Sequence, residues 1–418
     1  MISQSEPPAT RPAAAYDYPL EALRGVAALL VALGHALSAD PAPHTRLQPA
    51  GRWLYALPGH MAVLLFFLLS GYVIGLANPA PLATAAARWH YLRKRLVRLY
   101  PLYVVALGIT GLVAGAYHHP MSSKEWAGCL VFLQGFGVAM PAYNHSLWSL
   151  PYEIGYYLLF IVVSARGWPA GRVAVGGVVL GGLGTLLRVQ PLALVALAYG
   201  AAFWFAGLEL SRLPRRLGPP RYGAMLAWLL LLLAYQRLNP LYTILHRLGL
   251  DLDENVFFFF ERPITFADLS HLLLGVPLLA CFSNRTAPWL PWLERLAFAA
   301  PGLYLLVAGL AGRFAGPPAL IFWLPVGAYV VAVAAYLLRR KWTATAARVV
   351  QGLQPLGGIS YGVYIIHYPL LELLDELPVF NNSLATWVMR LGGYFAAVLA
   401  VSWLLERRLQ PWLKRRLA

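Results

Sequence analysis

Apolar residues form long uninterrupted runs along this chain, and polar residues are gathered in the short breaks between them. A helix advances about 1.5 Å per residue, so about 20 apolar residues are enough to cross the hydrocarbon core of a membrane. Lipid offers the backbone no hydrogen-bond partners, which favours a helix for each run. The predicted helices lie near 20–39, 53–77, 97–117, 146–165, 171–187, 191–210, 220–237, 266–283, 293–312, 317–338, 356–376 and 385–405.

The fold class predicted from this pattern is all-α, a polytopic helical bundle within the membrane. Some runs are short or interrupted by Gly and Pro, so we expect about ten to twelve spans. Residues 1–18 are rich in Pro, Ala and Ser and predict a disordered tail, followed by a membrane domain over 19–406 and a basic tail over 407–418. No other segment is long enough for a separate water-soluble domain of about 50 residues.

Composition agrees with this interpretation. Of the 418 residues, 59% are hydrophobic and 12% are charged, and the mean hydropathy is +0.60. Soluble domains carry about 25% charged residues. A net charge of +16 would suggest a nucleic-acid partner in a soluble protein, but here the basic residues lie in the breaks between apolar runs. We therefore interpret them as topology signals and expect no nucleic-acid partner.

The basic breaks predict which way the bundle faces. Lys and Arg concentrate in alternate breaks, which the positive-inside rule places in the cytosol together with both termini. The opposite breaks carry acidic residues, most of them between 238 and 266. The basic residues of the cytosolic breaks are Arg88, Arg93, Lys94, Arg95 and Arg98, then Arg212, Arg215, Arg216 and Arg221, then Arg339, Arg340 and Lys341, and finally Lys414, Arg415 and Arg416.

Cysteines and processing signals add little. Cys129 and Cys281 both lie in apolar or interfacial stretches, so they predict neither a disulfide framework nor a zinc site, and we expect no metal site. The first apolar run resembles a cleaved signal peptide in its basic start and the small residues at its end. The polar residues within that run argue for a retained helix instead.

Those polar residues are Glu21, Arg24 and His35. An ionisable side chain within a spanning helix costs about 3 kcal/mol or more, so each one needs a partner, a cavity or a function. Arg24 and His35 are eleven positions apart, which places them on one helical face about 16 Å apart along the axis. Two structural alternatives stay open: Arg24 pairs with Glu21 or reaches the headgroups, and His35 hydrogen-bonds a neighbouring helix.

A second acidic residue lies in the fourth run, within the sequence SLWSLPYE that ends at Glu153. This run enters from the outer side, so Glu153 is expected about 10 Å deep and His35 about 6 Å deep. A carboxylate that orients an imidazole makes histidine an effective general base, and we expect the two side chains to meet. The alternative is that Glu153 is paired only for packing.

Two further segments lie at the cytosolic end. In the second run, Ser70 and Gly71 of the sequence FFLLSGY permit close helix approach. The basic segment RKRLVRLYPLY over 93–103 either anchors in anionic lipid or holds the phosphates of a nucleotide-bearing donor.

In the late sequence LGGISYGVYIIHYPL, His367 is expected near the middle of the membrane, as a structural hydrogen-bonder or a functional group.

Together these segments resemble acyltransferase family 3, a family of integral membrane enzymes that acylate hydroxyl groups. The resemblance rests on LEALRGVAALLVALGH, FFLLSGY, RKRLVRLYPLY, SLWSLPYEIGYYLL and LGGISYGVYIIHYPLL in that order, and on Glu406, Arg407 and Pro411 at the end. The region over 170–340 resembles the family only in being apolar.

The resemblance implies transfer of an acyl group, most simply acetyl from cytosolic acetyl-CoA, to a hydroxyl of an extracytoplasmic or lipid-linked glycan, with no bound cofactor. It implies His35 as the base, Glu153 as its support and Arg24 as a donor contact. It also implies a bacterial inner-membrane location, with lipid as a partner. The remaining donor-side candidates are Ser70, Tyr72, Arg93, Arg95 and Arg98, and the acceptor-side or structural candidates are Trp148, Ser360, Tyr361 and His367.

Two other classes of protein fit the charged intramembrane residues. A transporter or flippase would use them as a substrate or proton path, and would not consume acetyl-CoA. A membrane anchor or scaffold without catalysis would have no need of an aligned Arg24, His35 and Glu153.

Overall fold

The computed structural model describes residues 18–38, 57–235, 237–248, 264–311, 320–375 and 383–417, together with Leu377 and Val379. The tail predicted over 1–18 lies outside these residues except for Tyr18. Most of the acidic segment predicted between 238 and 266 lies outside them as well, because residues 249–263 are not described.

The described residues fold into helices and contain no strand. Short 3-10 turns at His145–Trp148 and Ala267–His271 precede α5 and α10, and a π-turn at Leu405–Leu409 joins the last two helices. The helices are α1 (Tyr18–Ser38), α2 (Gly59–Ala77), α3 (Ala85–Ala116), α4 (Ser123–Leu130), α5 (Ser149–Arg166), α6 (Ala170–Leu186), α7 (Leu192–Arg212), α8 (Tyr222–Tyr235), α9 (Pro240–Arg247), α10 (Leu272–Phe282), α11 (Leu290–Leu310), α12 (Leu320–Leu337), α13 (Thr343–Gly357), α14 (Ser360–Asp375), α15 (Leu384–Leu404) and α16 (Gln410–Leu417).

Eight helical stretches in the described part of the chain are long and apolar enough to cross a membrane, and three shorter apolar helices accompany them. The predicted all-α polytopic bundle is therefore confirmed. Four described helices, α4, α9, α13 and α16, were not predicted. Helix α4 has a capping box at Ser122, and helix α13 is amphipathic, with Ala346 and Val350 buried and most of its other residues exposed.

The third helix is longer than predicted. It begins at Ala85, well before the apolar run at 97–117, and Thr84 caps its start by accepting a hydrogen bond from the Ala87 amide at 3.1 Å. The residues before 97, which the sequence placed in a basic break, are thus helical from Ala85 onward, because a capped helix can continue beyond the lipid on a polar stretch. On this helix Arg95 and Arg98 are three residues apart and share a face.

Small residues set the closest helix contacts. At Gly71 the second helix meets the backbone of Trp204 on α7, and at Gly207 the seventh helix meets the backbone of Leu68, so a Cβ on either glycine would overlap main-chain atoms. The expected close approach at Gly71 is confirmed. Helices α1 and α2 also approach closely, since a Cβ built on Gly34 would lie 3.8 Å from the Cα of Gly59.

The C-terminal segment continues the last spanning helix. Residues 407–417, which the sequence set apart as a basic tail, are helical to Leu417. The Gln410 side chain donates a hydrogen bond to the Arg98 backbone carbonyl at 2.5 Å, and Glu406 accepts one from the Gly362 amide at 3.1 Å. These contacts tie α16 to α3 and hold the start of α14.

Candidate functional site

Among the described residues, Val63 and Tyr364 line both of two neighbouring cavities in the bundle. We call the one of about 130 Å³ the arginine cavity and the one of about 220 Å³ the histidine cavity. The arginine cavity is lined by Arg24, Val63, Phe66, Phe67, Leu69, Ser70, Val73, Ile74, Arg95, Arg98, Leu99, Ser149, Leu150, Glu153, Tyr157, Ser360, Tyr361 and Tyr364. The histidine cavity is lined by Val31, Gly34, His35, Leu57, Gly59, His60, Val63, Ser146, Trp148 and Tyr364.

The arginine cavity gathers three guanidinium groups from two helices. Arg24 comes from α1, and Arg95 and Arg98 come from α3. Arg24 also pairs with Glu21 one turn earlier at 2.9 Å, as the structural alternative predicted. The pairing leaves Arg24 on the cavity wall, so a salt bridge and a ligand contact are compatible there. Arginine suits phosphate binding because its planar fork donates two parallel hydrogen bonds.

Ser70 and Glu153 form the polar floor of the arginine cavity. The Ser70 hydroxyl donates to the Glu153 carboxylate and accepts a hydrogen bond from the Trp204 indole at 3.2 Å. The expected meeting of Glu153 with His35 is wrong. The prediction used helical rise alone, which gives the depth of a residue but not its direction. Trp148 lines the histidine cavity, whereas Glu153, five residues later, lines the arginine cavity.

In the histidine cavity His35 pairs with His367 instead. The His35 Nδ1 and the His367 Nε2 are 2.8 Å apart, and the two rings are inclined by 4° with centroids 5.1 Å apart. The His367 Nδ1 lies 2.8 Å from the Tyr364 carbonyl oxygen. A carbonyl only accepts, so this Nδ1 carries a proton, and a neutral His367 offers its Nε2 as an acceptor.

The order of hydrogen bonds then defines the tautomer of His35. Its Nδ1–H donates to His367, which leaves the His35 Nε2 as an unprotonated acceptor when the ring is neutral. A base needs such a lone pair, held in a fixed direction. His367 therefore orients the His35 ring, which is the role that the sequence predicted for the Glu153 carboxylate.

Tyr364 forms the wall between the cavities together with Val63. Its hydroxyl donates to the Ser146 carbonyl at 2.8 Å and accepts from the Ser149 hydroxyl at 2.7 Å. Phe66 packs its ring against it in an edge contact, with centroids 5.7 Å apart. The wall is therefore held by hydrogen bonds to the turn before α5 and to the first residue of α5, and by an aromatic contact to α2.

Tyr72 and Arg93, predicted on the donor side, lie outside both cavities. The Tyr72 side chain is buried, and its hydroxyl accepts a hydrogen bond from the Arg285 Nε at 2.9 Å. Arg93 is exposed on α3. Each lies two residues from a cavity residue, Ser70 or Arg95, and two helical steps of about 100° turn a side chain to another face. The donor-side set is corrected accordingly.

Ser360 and Tyr361, predicted as acceptor-side or structural residues, line the arginine cavity. The Ser360 hydroxyl donates to the Gly357 carbonyl at 2.8 Å, and the Tyr361 hydroxyl donates to the Leu99 carbonyl at 3.1 Å. Both lie at the start of α14, whereas His367 lies two turns further along the same helix. One helix therefore serves both cavities.

His60 was missed as a site residue. It lies in the first turn of α2 and lines the histidine cavity, where its Nε2 is 3.0 Å from the buried Asp268 carboxylate. An ionisable residue at the start of an apolar run is a signal that the sequence did contain. Among the described residues no group of three or more His, Cys, Asp or Glu could hold a metal ion, and Cys129 and Cys281 are both free and buried.

Comparison with protein families matches residues 17–407 to a family model described as an acyltransferase domain. The match covers both cavities and the region over 170–340, in which the sequence showed no motif. Comparisons with curated proteins and with solved structures gave no match.

Proposed function

Since the chain belongs to acyltransferase family 3 and is a membrane acyltransferase, we propose that it transfers acetyl from cytosolic acetyl-CoA to a hydroxyl of an extracytoplasmic or lipid-linked glycan. One observation carries the proposal: two cavities share the wall of Val63 and Tyr364. One cavity offers cations for a phosphorylated donor, and the other offers a base for a hydroxyl. The location that follows is the cytoplasmic membrane of a bacterium.

The donor enters the arginine cavity in this scheme. Positive-inside charge assigns this end of the bundle to the cytosol, where acyl-CoA is made. Arg24, Arg95 and Arg98 bind the phosphates of the nucleotide, and the thioester arm extends past Ser70 towards the wall. Glu153 positions Ser70 by accepting its hydroxyl proton in a hydrogen bond.

The acceptor enters the histidine cavity from the other end. The His35 Nε2 takes the proton of the acceptor hydroxyl while its oxygen forms a bond to the thioester carbonyl carbon. The carbon–sulfur bond then breaks, and CoA leaves as a thiolate that takes a proton from water at the cytosolic end. The His35 imidazolium releases its proton to water at the outer end, which restores the base. Holding both substrates against one wall makes the reaction effectively unimolecular. His367 keeps the His35 ring in the productive tautomer.

Mass spectrometry of surface glycans, compared between source cells with and without the gene, tests the proposal. We expect the acetyl mass increment on a glycan to disappear on deletion and return on complementation. The purified protein in lipid vesicles should consume acetyl-CoA only when that glycan is supplied on the opposite side. Glycan translocation without consumption of acetyl-CoA would instead show a transporter.

Intact-mass measurement of the protein with acetyl-CoA alone separates direct transfer from an acyl-enzyme. Direct transfer predicts no stable adduct. A kinetically competent acetyl adduct on Ser70, His35 or Ser360 would contradict it and require two steps.

A further inference from the structure

The start of α2 places a second histidine in the histidine cavity. His60 follows Gly59, and His35 follows Gly34, and these two glycines mark the close approach of α1 and α2. Both histidines line the same cavity from neighbouring helices. The mechanism above uses His35 and gives His60 no role.

A buried carboxylate holds the His60 ring. The Asp268 Oδ1 lies 3.0 Å from the His60 Nε2, and its Oδ2 accepts hydrogen bonds from the Thr265 amide at 2.8 Å and the Thr265 hydroxyl at 3.2 Å. A carboxylate accepts only, so the His60 Nε2 carries a proton. With Asp268 itself fixed by Thr265, the orientation of the imidazole is set from behind.

The surroundings of His60 have the composition of a ligand-binding surface. The Trp148 ring lies beside it, inclined by 22° with centroids 6.3 Å apart, and lines the same cavity. Ligand sites combine apolar and aromatic surface with a few fixed polar groups that determine orientation. A glycan carries several neighbouring hydroxyls, so one base cannot by itself decide which of them reacts.

We propose that His60, positioned by Asp268, binds a second polar group of the acceptor and thereby holds the reacting hydroxyl at His35. This assignment rests on the proposed acetyl transfer to a glycan. It makes His60 an acceptor-binding residue and Asp268 a positioning residue. The alternative is a tether, in which the pair only fastens α2 to the turn before α10.

Steady-state kinetics in lipid vesicles separate binding from tethering. The substrates are labelled acetyl-CoA and the glycan fraction extracted from source cells that lack the gene. For His60→Ala we expect the glycan concentration at half-maximal rate to rise about tenfold, as loss of one buried hydrogen bond predicts. The acetyl-CoA dependence should stay unchanged, and kcat should change less than the glycan dependence.

Matched variants make the result specific. His60→Gln keeps a polar side chain and should recover part of the affinity for glycan, and Asp268→Asn should raise the half-maximal glycan concentration less than His60→Ala does. His271→Gln is the control, since its Nδ1 lies 3.7 Å from the same carboxylate but it does not line the cavity. Its kinetics should match the unmodified protein.

Four results would overturn the inference. Equal changes in both substrate dependences, or the same loss for His271→Gln, would show a tether, and thermal unfolding of each variant would then report the lost stability. If the unmodified protein does not acetylate the extracted glycan, the proposed function fails and this inference fails with it. If the unmodified protein is active but His60→Ala binds glycan normally, only the inference fails.

Discussion

The two cavities differ in how their polar groups are held. In the arginine cavity, three long cationic side chains surround a floor made by Ser70 and Glu153. In the histidine cavity, His35 is fixed through His367 to the backbone, and His60 is fixed through Asp268. Binding a phosphate depends on charge and tolerates flexible donors, whereas removing a proton depends on a lone pair in one direction. The two kinds of polar group fit these two proposed tasks.

A variant at His35 gives the most severe test of how the two cavities divide the substrates. The change His35→Ala removes the only group that we assign to proton removal, so the transfer rate should fall by roughly 10²–10⁴-fold, while binding of acetyl-CoA is unchanged. Isothermal titration with a non-hydrolysable acetyl-CoA analogue and a transfer assay measure the two quantities. Weakened analogue binding would show that the cavities do not divide the substrates as proposed.

The partner of His35 should have the next largest effect. His367→Leu removes the acceptor for the His35 Nδ1–H, and we expect kcat to fall about 10- to 100-fold, as loss of an orienting partner does elsewhere. His367→Gln retains a carbonyl acceptor and should recover part of kcat. The concentrations of both substrates at half-maximal rate should stay nearly unchanged. If His367→Gln lowers kcat as much as His367→Leu does, His367 has a packing role instead.

On the arginine side the effect should be confined to the donor. Arg98→Gln is expected to raise the acetyl-CoA concentration at half-maximal rate about tenfold, because one charge-assisted hydrogen bond is lost. Arg93→Gln is the control, because Arg93 lies on the same helix but outside the cavity. A surface charge contributes little, so this variant should change the acetyl-CoA concentration at half-maximal rate by less than about twofold. Equal effects of both variants would favour general attraction to the basic surface over a built site.

Helix α2 carries residues of both cavities and can be perturbed at Gly71, which lines neither of them. Gly71→Ala places a methyl group against the backbone of Trp204, so we expect a destabilisation of about 1–3 kcal/mol in thermal unfolding. Gly108→Ala is the matched control, since nothing lies within 4 Å of its Cβ position. If the two variants unfold alike, α2 and α7 are not packed as described.

The smallest effect is expected from a topology probe. Cys129 and Cys281 are buried, so a cysteine introduced as Arg93→Cys is exposed against a low background. It should react with an impermeant maleimide only in inside-out vesicles and leave activity unchanged. Labelling from the outside of intact cells would reverse the assignment of donor and acceptor ends.

The sequence was sufficient for the helical bundle and for the three arginines, the glutamate and one of the two histidines that line the cavities. Runs of apolar residues predict helices because lipid leaves the backbone no other choice. Arg24 and His35 were placed on one face by helical geometry, and each lines the cavity at its own end. Amphipathic α13 was not predicted, since its polar face hides it from a search for apolar runs.

The sequence does not reveal which side chains of distant helices pair with each other. Helical rise gives the depth of Glu153 but not the direction of its neighbours, which is why its pairing with His35 was expected and is wrong. His35 and His367 are 332 positions apart, and nothing in a local pattern selects that pair. Asp268 lies just after the acidic segment between 238 and 266, and nothing in the sequence indicates that it is buried against His60.

The wall of Val63 and Tyr364 connects the proposed reaction to the membrane voltage. The acceptor oxygen loses its proton on the outer side, and the sulfur gains negative charge on the cytosolic side, so each turnover carries one negative charge inwards across the wall. One charge crossing the full potential changes in energy by about 2.3 kcal/mol per 100 mV. Acetyl transfer would then be electrogenic, and in sealed vesicles its rate should fall as the acceptor side is made more positive.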